Sequence, residues 1–191
     1  MPKRPKPPQK LGWFTLPGRL GDRTLDQQMM GLGWLFANCR NNTVLDLGCA
    51  EGLLSIEIAK AGAKSVHGVE IVADHIDVAK KLIRGKDLPI KFEVADINSW
   101  RPKRKYDISV ALALLHKLFD PTPFIHAMAD ATHEAIVLRL PPAAAPSIID
   151  PRSGNIPIPV GEILREHDFH QIESHYRGPF DEYVGVWRRG G

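Results

Sequence analysis

Nine residues, Val44-Leu45-Asp46-Leu47-Gly48-Cys49-Ala50-Glu51-Gly52, carry a short apolar run into a glycine-bearing turn and on into a stretch with helical spacing. Glycines let a backbone turn tightly and let a ligand come close, and the start of the following helix offers N–H donors. Turns of the form Gly-x-Ala-x-Gly occur in many α/β proteins, so this pattern by itself identifies no ligand. Two acids further along add to it. Glu70 ends the next apolar run, 22 residues after Gly48, where a carboxylate accepts hydrogen bonds from both hydroxyls of a ribose. Asp96 ends the run after that, in Val94-Ala95-Asp96-Ile97, placed to accept a proton of an adenine amino group. Each acid has a plain structural reading as well. Glu70 suits a helix N-terminus, Asp96 suits a turn, and Asp46 suits a buried site satisfied by loop amides. Three acidic strand ends and one glycine turn, in step with successive strand–helix units, point together to a nucleoside-bearing ligand.

The elements that must hold these residues alternate regularly. Thr43 to Leu47 reads as a buried parallel strand, and Leu53, Leu54, Ile56, Ile58 and Ala59 recur at near-helical spacing up to a cap at Gly62. Ser65 to Val69 is a second strand, Asp74 to Arg84 a helix closed by Gly85, and Ile90 to Ala95 a third strand. Tyr106 to Ala111 and Ala135 to Leu140 are the fourth and fifth, with a helix over Pro123 to Ala131 between them. A short helix runs from Gly161 to near Asp168, and Phe169 to Tyr176 and Glu182 to Arg188 form a terminal hairpin. This order predicts an α/β fold: one doubly wound, mostly parallel, seven-stranded sheet with helices on both faces and a C-terminal antiparallel hairpin. Before it, Leu25 to Phe36 reads as one helix with Asp22 or Thr24 near its cap. Pro141 to Pro159 holds six prolines and no periodicity. It leaves the ligand-binding edge of the sheet, as a lid or as a passive wrap. The expected organisation is a disordered basic tail over 1–10, a pre-core cap over 11–42 and a core domain over 43–191.

The motif Val-Leu-Asp-Leu-Gly-Cys-Ala-Glu-Gly, then His-Gly-Val-Glu70, Val-Ala-Asp96-Ile and Tyr-Asp107-Ile-Ser-Val-Ala-Leu-Ala-Leu-Leu-His116, resembles the successive motifs of class I S-adenosylmethionine-dependent methyltransferases. The resemblance covers Thr43 to about Leu140 and is nearly silent on the methyl acceptor. It implies S-adenosyl-L-methionine as cofactor, with Gly48, Cys49, Ala50 and Gly52 along its methionine moiety and Asp46 near its amino group. It further implies that Glu70 holds the ribose, that Ile71 packs on the adenine, and that Asp96 and Ile97 contact it, with Leu112 also at the cofactor. Ala50 departs from the family, which often has glycine there, and its methyl group asks for more room beneath the cofactor. A nicotinamide dehydrogenase needs G-x-G-x-x-G, and the spacing Gly48, Ala50, Gly52, Leu53 excludes it.

Methyl transfer from a sulfonium is an in-line displacement governed by proximity and orientation, with a base needed only where the nucleophile must lose a proton early. His116, after the fourth strand, is the candidate catalytic residue. Its other reading is a histidine that merely caps or packs. The fourth strand ends Ala-Leu-Ala-Leu, without the Asn/Asp-Pro-Pro-aromatic run that seats an amino nitrogen, and no Pro-Cys pair occurs. Oxygen or nitrogen methylation of a small molecule is the reading that remains. Trp13, Phe14, Arg19 and Arg23 precede the core and either face substrate or anchor the segment.

The formal charge is +3, yet the first ten residues contribute Lys3, Arg4, Lys6 and Lys10 and no acid. The remainder is therefore close to neutral, and the basic balance belongs to the tail. That tail, with Arg101, Lys103, Arg104 and Lys105, keeps an RNA- or tRNA-modifying enzyme as the alternative. A catalytically silent binding domain is the third reading. Two cysteines, no signal-type apolar stretch and no 18-residue apolar run predict a cytoplasmic chain without a membrane partner. No Cys/His spacing suggests a metal. The sequence leaves the oligomeric state open.

Overall fold

The computed structural model describes residues 12–17, 21–118, 120–140, 160–177 and 182–191. The tail over 1–10, Arg19 and all of the 141–159 stretch expected as lid or wrap lie outside them. The elements in chain order are β1 (Gly12–Phe14), β2 (Gly21–Arg23), α1 (Leu25–Met29), α2 (Gly33–Asn38), β3 (Thr43–Leu47), α3 (Leu53–Lys60), β4 (Ser65–Glu70) and α4 (Ala73–Ile83). They continue as β5 (Ile90–Val94), β6 (Tyr106–Leu112), α5 (Thr122–Asp130), β7 (Thr132–Leu140), α6 (Val160–Glu166), β8 (Phe169–Arg177) and β9 (Glu182–Arg189).

Seven strands form one sheet in the order β5-β4-β3-β6-β7-β9-β8. The first five are parallel, and β9 inserts antiparallel between β7 and β8. Side chains alternate between the two faces, as a pleated strand requires. Leu45 and Leu47 of β3, Ile136 and Leu138 of β7 and Trp187 of β9 join the core beneath α5 and α6. Val44, Val137, Val184 and Val186 join the opposite core beneath α2 and α3. Both faces of the sheet are thus covered, which is why the central strands are predominantly apolar. The winding reverses between β3 and β6, and the crevice beyond their carboxyl ends is where open α/β sheets take ligands.

Two features depart from the expectation. The helix expected over Leu25 to Phe36 is two helices, α1 and α2, separated by a bend in which Gly31 has φ +76°. Thr24 caps α1 in a capping box with Gln27, as its residue type predicts. The break comes from far along the chain. The fully buried Arg139 of β7 donates to the carbonyls of Gln28 and Met30, at 2.7 and 2.9 Å, and to the Gln28 side chain at 2.7 Å. Terminal carbonyls that a continuing helix would have paired are satisfied by a guanidinium instead. The second departure is the small parallel pair β1–β2, whose three-residue strands carry no readable periodicity.

Candidate functional site

The carboxyl ends of β3, β4, β5 and β6 surround a cavity of about 270 Å³. Gly48, Ala50, Glu70, Asp96, Ile97 and Leu112 line it, one or two from the end of each strand. Ile71, Val72, His75, Asn98, Trp13, Leu114, Lys117 and Leu118 complete the lining. A volume near the lower end of the usual range for small-molecule sites, with few polar groups among apolar ones, fits an organic ligand rather than an ion.

Local geometry explains the turn. Gly48 and Cys49 both donate to the carbonyl of Val69, at 2.8 and 3.1 Å, which pins the turn to the neighbouring strand. Gly48 has φ +75°, and a Cβ there would stand 3.3 Å from Leu114 Cδ1 across the cavity, so a side chain would fill the space a ligand needs. Ala50 also occupies the left-handed region, at φ +48°. A non-glycine residue there is uncommon and marks a site held by its surroundings. What holds it is Glu70, whose Oε2 accepts from the Ala50 N–H at 3.0 Å. Its Oε1 accepts from the N–H groups of Ile71 and Val72 at 2.9 and 3.0 Å. An ionised carboxylate offers about four acceptor positions. Three are taken by backbone, which leaves one acceptor position for a ligand. Asp96 receives the N–H and side-chain amide of Asn98 on Oδ1, at 2.9 and 2.8 Å, and Oδ2 keeps no partner among the described residues.

Four of the expected residues lie outside the cavity wall, and each has a packing reason. Asp46 is buried beneath the turn, where Ser55 Oγ donates to it at 2.5 Å; burial pushes its pKa up to about 6, against the lowering by that hydrogen bond, and nearby Glu70 adds to the rise. Cys49 packs with Ile76, Ala79 and Phe92, and burial raises its thiol well above the usual range. Gly52 starts α3 at φ +73°, and a Cβ there would come within 2.5 Å of Phe92 Cζ, so this glycine serves close packing. His116 sits in a 3₁₀ turn over Leu115–Lys117, half-buried, with its Nδ1 unpartnered. Burial holds its pKa below the usual histidine value, Lys117 and Arg23 push the same way, and Glu182 opposes them.

The sequence reading gave no functional role to three residues that the structure brings here. Glu51, fully buried, accepts from the N–H groups of Trp13 and Phe14 at 3.0 and 3.1 Å, tying β1 to the turn. His75 approaches the same carboxylate to 3.6 Å through Nε2, while its buried Nδ1 has no partner. Lys117 stands 4.1 Å from the centre of the Trp13 ring and Arg23 at 5.2 Å. No local pattern signals these contacts, because each partner comes from a distant part of the chain. Among the described residues no group of three or more His, Cys, Asp or Glu could hold a metal ion, and no helix is long and apolar enough to cross a membrane.

Residues 44–134 match the family model described as a methyltransferase domain. The ubiquinone biosynthesis O-methyltransferase of Hydrogenovibrio crunogenus is 31% identical over 98 residues, 50% of this chain and 40% of that protein. Its counterpart in Coxiella burnetii is 39% identical over 83 residues, 43% of this chain and 35% of that protein. The matches therefore span less than half the length of these curated relatives. Among solved structures, magnesium protoporphyrin IX methyltransferase of Synechocystis with bound S-adenosylmethionine superposes with a TM-score of 0.68 at 22% identity, covering 86% of this chain and 80% of that one. A putative S-adenosylmethionine-dependent methyltransferase of Listeria monocytogenes gives 0.72 at 13% identity, covering 87% and 98%. Identities this low speak to fold alone, and the fold is theirs.

Proposed function

We propose that this chain is a class I S-adenosylmethionine-dependent methyltransferase that methylates an oxygen of a small-molecule acceptor, a reading supported by the methyltransferase-domain match over residues 44–134 and by the shared fold. The observation that carries this reading is the convergence of Gly48, Ala50, Glu70, Asp96, Ile97 and Leu112 on one cavity at the reversal point of the sheet. The O-methyltransferases among the curated relatives support oxygen over nitrogen.

The residues present fit the cofactor. S-adenosylmethionine supplies an electrophilic methyl group on a sulfonium, and the chain supplies position. Glu70 accepts from a ribose hydroxyl at its remaining acceptor site, and Asp96 Oδ2 accepts from the adenine amino group. Ile71 and Ile97 flank the adenine, and the bare edge of Gly48 lets the methionine part lie against the backbone. Leu112, Leu114 and Leu118 exclude water from the acceptor end, which preserves the in-line geometry. Asp46 acts from below, fixing the turn through Ser55 and placing negative charge beneath the methionine amino group. His116 is the proposed general base. Its lowered pKa keeps the imidazole neutral at pH 7, and its unpartnered Nδ1 can accept a proton once the ring turns toward the cavity.

A nucleic-acid acceptor has one observation in its favour. Arg101, Lys103, Arg104 and Lys105 line an open groove with Ala127, Asp130 and Ala131. That groove lies at the amino end of β6, and the seven residues of the strand separate it from the cavity by about 20 Å. A phosphate held there is far from the methyl group, which favours the small molecule. The test is transfer from methyl-labelled S-adenosylmethionine in a mixture of tRNA and small-molecule extract. Label in an alkali-stable O-methyl group of a small molecule is expected, and label confined to RNA overturns the reading.

A further inference from the structure

The cavity is lined by groups of both charges. Glu70, Asp96 and Lys117 all line it, two carboxylates from the strand ends and one ammonium from the turn after β6. No carboxylate lies within ion-pairing distance of the Lys117 ammonium among the described residues; its recorded contact is the face of Trp13, 4.1 Å away. Arg23 also approaches that indole, but Glu182 holds its guanidinium bidentately at 2.7 and 2.6 Å. Lys117 is exposed as a residue, and partial burial holds its pKa below the usual lysine value, with Glu70 and Glu182 opposing and Arg23 pushing the same way. A charge-assisted hydrogen bond from such an ammonium to an anion is strong.

Lys117 lies within the stretch shared with the family, but the groups around its ammonium come from outside it. Trp13 and Arg23 precede residues 44–134 and Glu182 follows them. Glu51 locks Trp13 in place through its backbone N–H. The pre-core segment thus places Trp13 in the cavity wall against the Lys117 ammonium. We propose that the methyl acceptor carries an anionic group, a carboxylate or phosphate, which Lys117 Nζ receives beside Trp13 while the acceptor's oxygen points toward the methyl group. This inference rests on the cavity's being the methyl-transfer site. One rival ligand has the same chemistry, the cofactor's own carboxylate, and the experiment separates the two.

Wild-type protein, Lys117→Met and Lys117→Arg are each titrated first with S-adenosylhomocysteine. The loaded proteins are then titrated with para-hydroxyphenylacetate and with its neutral amide. Methionine keeps the stem against Trp13 and removes the charge at an exposed position, and the thermal transition establishes that each variant is folded. The expected result is equal cofactor-product affinity in all three proteins, with wild type preferring the acid over the amide by about tenfold or more. That preference disappears in Lys117→Met and returns in Lys117→Arg. Equal affinity for acid and amide in wild type, or binding of neither, overturns the inference. A fall in S-adenosylhomocysteine affinity in Lys117→Met also overturns it, because the cation then serves the cofactor. Failure of wild type to bind S-adenosylhomocysteine is read before either probe is added, and sinks the cofactor reading itself.

Discussion

Removing the Glu70 carboxylate separates its two duties. In Glu70→Ala the N–H groups of Ala50, Ile71 and Val72 lose their acceptor. They border the cavity, so water can replace the carboxylate, and the stability loss falls toward the lower part of the roughly 1–3 kcal/mol range for an abandoned donor. Ligand affinity suffers separately. Three of about four acceptor positions are occupied by backbone, so one charged hydrogen bond to the ribose is lost, worth about 1.5–3 kcal/mol. The dissociation constant of S-adenosylhomocysteine should therefore rise about 10- to 150-fold, at roughly 1.4 kcal/mol per decade. If both ribose hydroxyls were held, the loss would be about the square of that factor. Calorimetric titration of wild type and Glu70→Ala at equal temperature measures it, with circular dichroism establishing that the variant is folded. An unchanged dissociation constant in folded Glu70→Ala would refute the ribose role.

Asp46 makes stability depend on pH in a definite direction. Its folded pKa of about 6 exceeds the ordinary 3.8, so the native state holds the proton more tightly and the associated stability, present below pH 3.8, is lost as pH rises through 6. The cost of ionisation above that window is on the order of 3 kcal/mol. Asp46→Asn, which does not titrate, should gain on wild type from about pH 4 to 6 and then hold a constant difference, as urea midpoints across the window would record; a pH-independent difference would contradict the assignment. For Glu51→Ala, each orphaned N–H of Trp13 and Phe14 costs about 1–3 kcal/mol. Amide exchange at both positions should accelerate and the thermal midpoint should fall, and unaltered protection at Trp13 would show that Glu51 does not hold the segment.

The sheet and its helices were readable because their signals are local. Thr43–Leu47 is apolar on both faces, Gly62 and Gly85 stop helices, and the terminal hairpin is bounded by Arg-Gly-Pro-Phe-Asp. Glu70 and Asp96 were readable as cavity residues because strand ends fall at one edge of a parallel sheet by topology. The rest depended on partners distant in sequence. The bend between α1 and α2 is set by Arg139, more than a hundred residues away. Glu51 reads as a motif position, and its engagement by Trp13 spans 38 residues. Cys49 and Gly52 fit the ligand-turn pattern equally well whether they face ligand or Phe92, and only packing decides.

The most direct test of the central claim is the pattern of backbone amide shifts when labelled protein is titrated with S-adenosylhomocysteine. Saturable shifts at Gly48, Ala50, Glu70 to Val72, Asp96 to Asn98 and Leu112 to Leu114, with none at Arg101 to Lys105, are the predicted result. No shifts in folded protein, or shifts centred on the Arg101–Lys105 groove, would contradict it.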